Sequence, residues 1–168
     1  IRFALDRGAD AVMLLNNDCY VTPETIGSLA ELSDKNPNAV IAPVQRDWKT
    51  SQLISISPRT WLLLGFPNQA GPLKLTPAMK KIDLLPVKLI GGGRGVIIPA
   101  PVFKQIGLFD EKRLPHYWSD HDFYLRAMGQ RIPLYIATRA FVDIDNTRTS
   151  LADNPGALEF AGFLKLSL

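Results

Sequence analysis

The chain has 168 residues, 46% of them apolar and 21% charged, with a formal net charge of +3. That length is enough to bury a real core, in the composition range of soluble globular proteins. The basic residues are scattered apart from Lys80-Lys81 and Lys112-Arg113, so no cationic stripe tracks a phosphate backbone and nucleic-acid binding is not expected. The single cysteine, Cys19, excludes an intrachain disulfide and fits a reducing compartment. No apolar run has the length of a bilayer span, and the first residues lack a signal-peptide pattern. They start at Ile1, in what reads as a helix already under way.

Residues 1–7 suit a helix, with Phe3, Ala4 and Leu5 as its apolar face and Gly8 ending it. Residues 11–16 read as a buried parallel strand, because the apolar run through Leu15 is continuous rather than alternating. Thr22-Pro23-Glu24 starts a helix: Thr22 caps, Pro23 suits the first helical position, and Glu24 favours the positive end of the dipole. Ile26, Leu29, Ala30 and Leu32 give that helix one apolar face up to about Lys35, and Asn36-Pro37-Asn38 breaks it. Residues 39–42 form the next strand, closed by Pro43. A strand–helix–strand unit with short connections predicts an α/β fold with a mostly parallel sheet, flanked by helices and joined by a right-handed crossover.

Residues 53–56 suit a strand, and 59–64 a short helix with Trp61 on its apolar side. Residues 66–83 read as a long surface excursion, of a length that in compact units is functional or mobile. A strand over 84–90 leads into Gly91-Gly92-Gly93, then Arg94-Gly95 and a strand at 96–98. Pro99-Ala100-Pro101 opens a short helix over 102–106, ended by Gly107, and Phe109 anchors the turn that follows. Ser119 and Asp122 match a capping box. The helix they start carries Phe123, Leu125, Ala127 and Met128 and ends at Gly129. Strands follow at 131–136 and 140–145, where Asp143 and Asp145 share a face if the strand is regular. Residues 146–156 read as a polar loop and 157–166 as a last amphipathic helix.

Two acidic clusters carry the chemistry. Asn16-Asn17-Asp18 stands at a strand's carboxyl end, where ligands bind in open α/β sheets. Asp18 can hold a divalent cation there, and Asn16 and Asn17 can bond hydroxyls or phosphates. The same three residues equally make a turn into the next helix. Cys19, next to Asp18, is either a thiolate nucleophile or a small filler. The glycine run lets a ligand approach the main chain closely, or is simply a flexible turn. It is neither a G-x-x-x-x-G-K-[ST] phosphate loop nor a G-x-G-x-x-G fingerprint. Asp120 lies in a first helical turn, where the dipole favours its ionised form. His116, Asp120, His121 and Asp122 also allow a metal-hydrolase reading, but without a spacing such as H-E-x-x-H.

Taken together, four motifs in order resemble the family 2 glycosyltransferases, nearest the rhamnosyltransferase-like and polysaccharide-building branches. They are Gly8-Ala9-Asp10 with the strand, Asn16-Asn17-Asp18 and Thr22-Pro23; the triple glycine before a strand; Ile106-Gly107-Leu108-Phe109-Asp110-Glu111; and Tyr117-Trp118-Ser119-Asp120-His121-Asp122 running into Leu125-Arg126-Ala127. The match covers most of residues 1–145. The resemblance implies a GT-A fold, a nucleotide-sugar donor, a glycan or lipid-linked acceptor and a divalent cation, Mg²⁺ or Mn²⁺. It makes Asp18 the metal carboxylate at the family's DxD position and Asp120 the base that takes the acceptor hydroxyl's proton. Asn16, Asn17, Gly91, Gly92, Gly93, Ser119 and His121 would contact substrate, and Asp122 and Arg126 would pair as structural supports.

Three positions depart from the family's pattern. Asn16 stands for a carboxylate, Ser119 stands where a Glu is usual, and Asp143 and Asp145 lie where a late metal-binding His is often found. Either aspartate can replace that ligand, and Asp145 is preferred by position. The strand, helix and second strand with which the family begins, and which bind the nucleotide, have no counterpart before Ile1. The expectation is therefore a single unit over 1–168 lacking that segment and inactive alone. Residues 1–45 would hold the metal, 84–145 the acceptor and catalytic groups, and 146–168 a tail. The resemblance implies a cytoplasmic enzyme, at most peripheral to the inner face of a membrane. The competing reading is a non-catalytic relative that binds sugar or protein.

Overall fold

The computed structural model describes residues 1–55, 59–60, 67–68, 74–115, 118–145 and 147. The elements run α1 (Arg2–Asp6), β1 (Ala11–Leu14), β2 (Cys19–Tyr20), α2 (Pro23–Lys35), β3 (Val40–Asp47), β4 (Leu53–Ser55), β5 (Arg59–Thr60), β6 (Pro67–Asn68), a 3-10 turn at Met79–Lys81, β7 (Leu84–Val87), β8 (Val96–Pro99), α3 (Ala100–Ile106), α4 (Ser119–Gly129) and β9 (Leu134–Ile144). Seven strands form one sheet in the order β1-β8-β3-β9-β2, with β4 also on β3 and β7 also on β9; β5 and β6 pair separately.

The sheet is mixed, not mostly parallel. Among the described residues, only β3 and β9 run parallel, and every other pairing is antiparallel. The cause is β8, which inserts antiparallel between β1 and β3. Strands β1 and β3 still point the same way, so α2 crosses between co-directional strands that are not neighbours. The carboxyl ends of β1, β3 and β9 and the amino end of β8 consequently meet at one rim of the sheet. One sheet also unites residues from 1–45 with residues from 84–145.

The central pair is irregular at one level. Register between β3 and β9 jumps between Pro43 and Val44, where the partner changes from Ala137 to Phe141. Pro43 has no N–H to give a ladder, and the jump falls at it. Above the jump β9 pairs with β2 and below it with β7. The two strands expected at 131–136 and 140–145 are therefore one bulged strand. Gly95 passes against Pro43: a Cβ there would lie 2.8 Å from Pro43 Cγ, and its φ is +79°.

Helices cover both faces. On one, Val40, Ala42, Val44, Val96, Ile98, Leu134 and Ile136 pack with Phe103, Phe123, Tyr124 and Ala127 of α3 and α4. On the other, Ile41, Ile97, Ala137 and Ala140 pack with Leu29 of α2. Each fully buried large apolar side chain contributes about 1.5–3 kcal/mol.

Local expectations divide by how polar groups are satisfied. Thr22 caps α2, accepting from the Thr25 N–H at 3.2 Å, and Pro23 opens it. The buried face of α2 is Thr25, Leu29 and Ser33, while Ile26 is 45% exposed. Thr25 tolerates burial because its hydroxyl donates to the Phe141 carbonyl at 3.0 Å. In α1, Ile1 and Leu5 reach the core, whereas Phe3 is exposed under the Arg7 guanidinium, 4.1 Å from the ring. Strand β1 is half-buried and stops at Leu14, with Leu15 exposed, because it is paired on one edge only. The capping box at Ser119 does not form. Trp118, at φ 69°, is the N-cap, Ser119 is already helical, and Asp122 binds Arg126 instead. Strand β7 ends at Val87, and Leu89 and Ile90 are buried beyond it. Of the helix expected at 59–64, Arg59–Thr60 is strand. Trp61 and the helix expected at 157–166 lie outside the described residues.

Candidate active site at the carboxyl rim of the sheet

The Gly91–Arg94 segment enters β8 at the rim and is fixed from three sides. Gln45 Nε2 of β3 donates to the Gly91 carbonyl at 2.6 Å, and the Tyr124 hydroxyl of α4 donates to the Gly92 carbonyl at 3.0 Å. The Gly95 N–H donates to the Leu14 carbonyl of β1 at 2.8 Å. A Cβ on Gly92 would lie 3.7 Å from Asp120 Oδ2, and one on Gly93 would lie 3.7 Å from Asn16 Oδ1. The next side chain, Arg94, reaches Asp18, with 4.0 Å between Nη2 and Oδ2. Three consecutive residues, Gly92, Gly93 and Arg94, therefore lie against Asp120, Asn16 and Asp18 in turn. The missing side chains leave room for a ligand along this path.

The backbone sets a second aspartate opposite Asp18. The β2–β9 register pairs Cys19 with Ile144 and Tyr20 with Asp143. One residue further, the Asp145 N–H donates to the Asp18 carbonyl at 2.8 Å. Directly opposed residues of an antiparallel pair have Cβ atoms about 4.5–5.5 Å apart. Both aspartates are buried. Asp145 Oδ1 accepts from the Thr147 N–H at 3.0 Å and from its hydroxyl. Asp143 is committed elsewhere: Arg46 clamps it through two bonds, at 2.8 and 2.9 Å. Of the two late aspartates, the one beside Asp18 is therefore Asp145. Two carboxylates of this kind suit a hard cation, which takes oxygen ligands and completes its shell from phosphates and water. Among the described residues, no group of three or more His, Cys, Asp or Glu converges at metal-binding distance.

Cys19 is held as a thiol, which disfavours the nucleophile reading. Its thiol donates to Asp18 Oδ1 at 3.4 Å, and burial, then the Asp18 charge, pushes its pKa up to about 12. The thiolate is scarce at neutral pH. Asn16 does open a turn, accepting the Cys19 N–H at 3.2 Å through its carbonyl, but the turn leads into β2 rather than directly into a helix. The Asn16 and Asn17 side chains are both exposed.

Asp120 sits half-buried in the first turn of α4, with Oδ1 accepting its neighbour His121's N–H at 2.8 Å. Ser119, also half-buried, precedes it. His121 packs edge-on against Trp118, with centroids 5.4 Å apart, and its Nε2 is buried without a partner among the described residues. Burial lowers the His121 pKa against the opposing pull of Asp120 and Asp122, so the ring is neutral at pH 7. Burial and then the Asp120 charge raise the Tyr124 phenol well above its ordinary value, which keeps it a donor to the glycine run. Asp122 pairs with Arg126 at 2.8 Å as expected of a structural support. Arg126 also donates to the Ile106 carbonyl at 2.6 Å and the Leu108 carbonyl at 3.0 Å. With Asp122 so engaged, the metal-hydrolase cluster has lost one member; His116 lies outside the described residues.

Sequence reasoning did not single out Gln45, Arg94 or Tyr124. Arg94 abuts the glycine run and Tyr124 follows Asp120 by one helical turn, so both carried a local signal. Gln45 carried none, because its partner is 46 residues away. Among the described residues, no helix is long and apolar enough to cross a membrane. Neither a protein-family model nor a curated protein matches the chain.

Proposed function

We propose that the chain carries the catalytic part of an inverting, metal-dependent glycosyltransferase that moves a sugar from a nucleotide-sugar donor to a glycan or lipid-linked acceptor. The observation that carries this reading is the Gly91–Arg94 segment, which adjoins Asp120 at one end and Asp18 at the other. A base and a diphosphate-binding group are thereby set along one open path.

Asp120 accepts the proton of the acceptor hydroxyl. That oxygen forms the new bond to the anomeric carbon from the face opposite the diphosphate. The old carbon–oxygen bond breaks, and its electron pair leaves on the diphosphate, so the configuration inverts. General-base catalysis of this type contributes about 10²–10⁴-fold. Asp18 and Asp145 would hold the Mg²⁺ or Mn²⁺ ion, whose chemistry is to neutralise charge on the leaving diphosphate. Arg94 offers a planar fork to the same phosphates. Asn16, Asn17, Gly91, Gly92, Gly93, Ser119 and His121 line the substrate path in this reading. It sets the reaction in the cytoplasm, where nucleotide sugars are available, or at the inner face of a membrane.

The test is metal-dependent release of nucleoside diphosphate from a panel of nucleotide sugars by the full-length protein. Asp120→Asn should lower turnover by about 10²-fold or more, and Asp18→Asn should remove the metal requirement along with most of the rate. Turnover unchanged in Asp120→Asn sinks the assignment. The amide at Asn16 and the hydroxyl at Ser119, where the resemblance leads one to expect carboxylates, favour a second reading as a non-catalytic sugar-binding relative. Turnover abolished by Asp120→Asn excludes it.

A further inference from the structure

Beside the paired aspartates stand two large aromatic side chains that the core does not use. Tyr20 and Trp48 are 47% and 44% exposed, and their rings pack on each other, with centroids 5.8 Å apart and planes tilted by 42°. Isolated exposed apolar residues are ordinary, but two aromatics assembled side by side at the rim of a candidate site form a surface. We propose that Tyr20 and Trp48 form a stacking platform for a pyranose ring of a neutral glycan. That this glycan is the acceptor rests on the glycosyltransferase reading; that a glycan binds does not.

Three observations support the platform. First, it is built rigidly. Tyr20 belongs to β2, two residues from Asp18, and pairs with Asp143. The Trp48 N–H donates to the Ile144 carbonyl at 3.1 Å. The turn that carries Trp48 is closed by Asp47, whose Oδ1 accepts from the Lys49 N–H, the Thr50 N–H and the Thr50 hydroxyl at 2.8–3.0 Å. Rings held this way lose little freedom on binding.

Second, the platform has a polar edge. The pairings Tyr20 with Asp143 and Asp143 with Arg46 set these three residues in one row across the sheet, where alternation puts them on one face. The Arg46 and Asp143 side chains keep 30% and 28% exposure while bonded to each other. They present donors and acceptors beside the rings, and a sugar needs both: an apolar C–H face to stack, and hydroxyls that give and accept hydrogen bonds at its edge.

Third, the local charge does not suit an anion. Arg46, in the row beside the rings, is neutralised by Asp143. Lys49, whose Nζ lies 5.4 Å from the Trp48 centroid, is the cation at the rings themselves. A nucleic-acid strand needs a positively charged groove behind its stacking rings.

The test follows the indole N–H resonance of Trp48 in the full chain, assigned with Trp48→Phe. The chain is titrated without donor or metal against tetrasaccharides of glucose, N-acetylglucosamine, galactose and rhamnose, and against uridine. At least one tetrasaccharide should shift the Trp48 signal, and Trp48→Ala should weaken its binding about three- to tenfold, the size of one aromatic contact. Tyr20→Ala should weaken it similarly and Tyr20→Phe much less. If Trp48→Ala does not fold, Tyr20→Ala carries the comparison. No shift with any tetrasaccharide, or a shift with uridine alone, overturns the proposal. A glycan that binds at Trp48 in a protein without donor turnover upholds the platform and sinks only the transferase reading.

Discussion

His121 is a side chain whose ionisation the fold opposes in the pH range just below neutral. Its Nε2 is buried without a partner among the described residues, and burial outweighs the attraction of Asp120 and Asp122. The unfolded chain takes up a proton near pH 6.5, whereas the folded one does so only at lower pH. The contribution of this group to stability is therefore complete above about pH 6.5 and falls as the pH drops toward the folded value. Thermal midpoints taken from about pH 7.5 down to about pH 5.5 should decline, and the decline should be shallower in His121→Gln. Equal slopes would place the sensitivity in other groups. The sequence showed a histidine next to Asp120. It could not show that Nε2 is buried, because Trp118 adopts a left-handed conformation to start α4, and nothing in the composition of that stretch announces it.

At the scale of elements, α3 and α4 are joined through one guanidinium. Helix α3 ends at Ile106, and the carbonyls of Ile106 and Leu108 find their donors on Arg126, which Asp122 holds in place. Three acceptors thus depend on one side chain. Arg126→Met should lower stability by about 2–3 kcal/mol, read from urea midpoints. Arg126→Lys should recover little of it, since a compact ammonium cannot span the same fork. A methionine variant as stable as the parent would show that water replaces these bonds at no cost. The pairing of Asp122 with Arg126 was legible from their spacing of four. The connection to α3 was not, because it spans 20 residues.

For the molecule as a whole, the two acidic clusters matter because distant strands bring them to one rim. If Asp18 and Asp145 hold Mn²⁺, the ion binds only the folded chain and should stabilise it by mass action. A concentration tenfold above Kd gives about 1.4 kcal/mol, which is roughly 3–5 °C in Tm for a chain of this size. The Asp18→Asn, Asp145→Asn double variant should show no rise, and a rise that persists there would move the ion elsewhere. The local signals of the fold were legible: the cap at Thr22, the end of β9 just before Asp145, and the helix holding Asp120. Strand order was not, because the antiparallel insertion of β8 between β1 and β3 depends on packing that no short stretch encodes.

The contact between Gly95 and Pro43 has an evolutionary consequence. The proline ring occupies the space that a methyl group on the glycine would need. Position 95 can gain a side chain only after position 43 has become smaller and the left-handed backbone has relaxed. The two sites are thus epistatic. A lineage that replaces the glycine would be expected to change the proline as well, at the level where the register of β3 on β9 jumps.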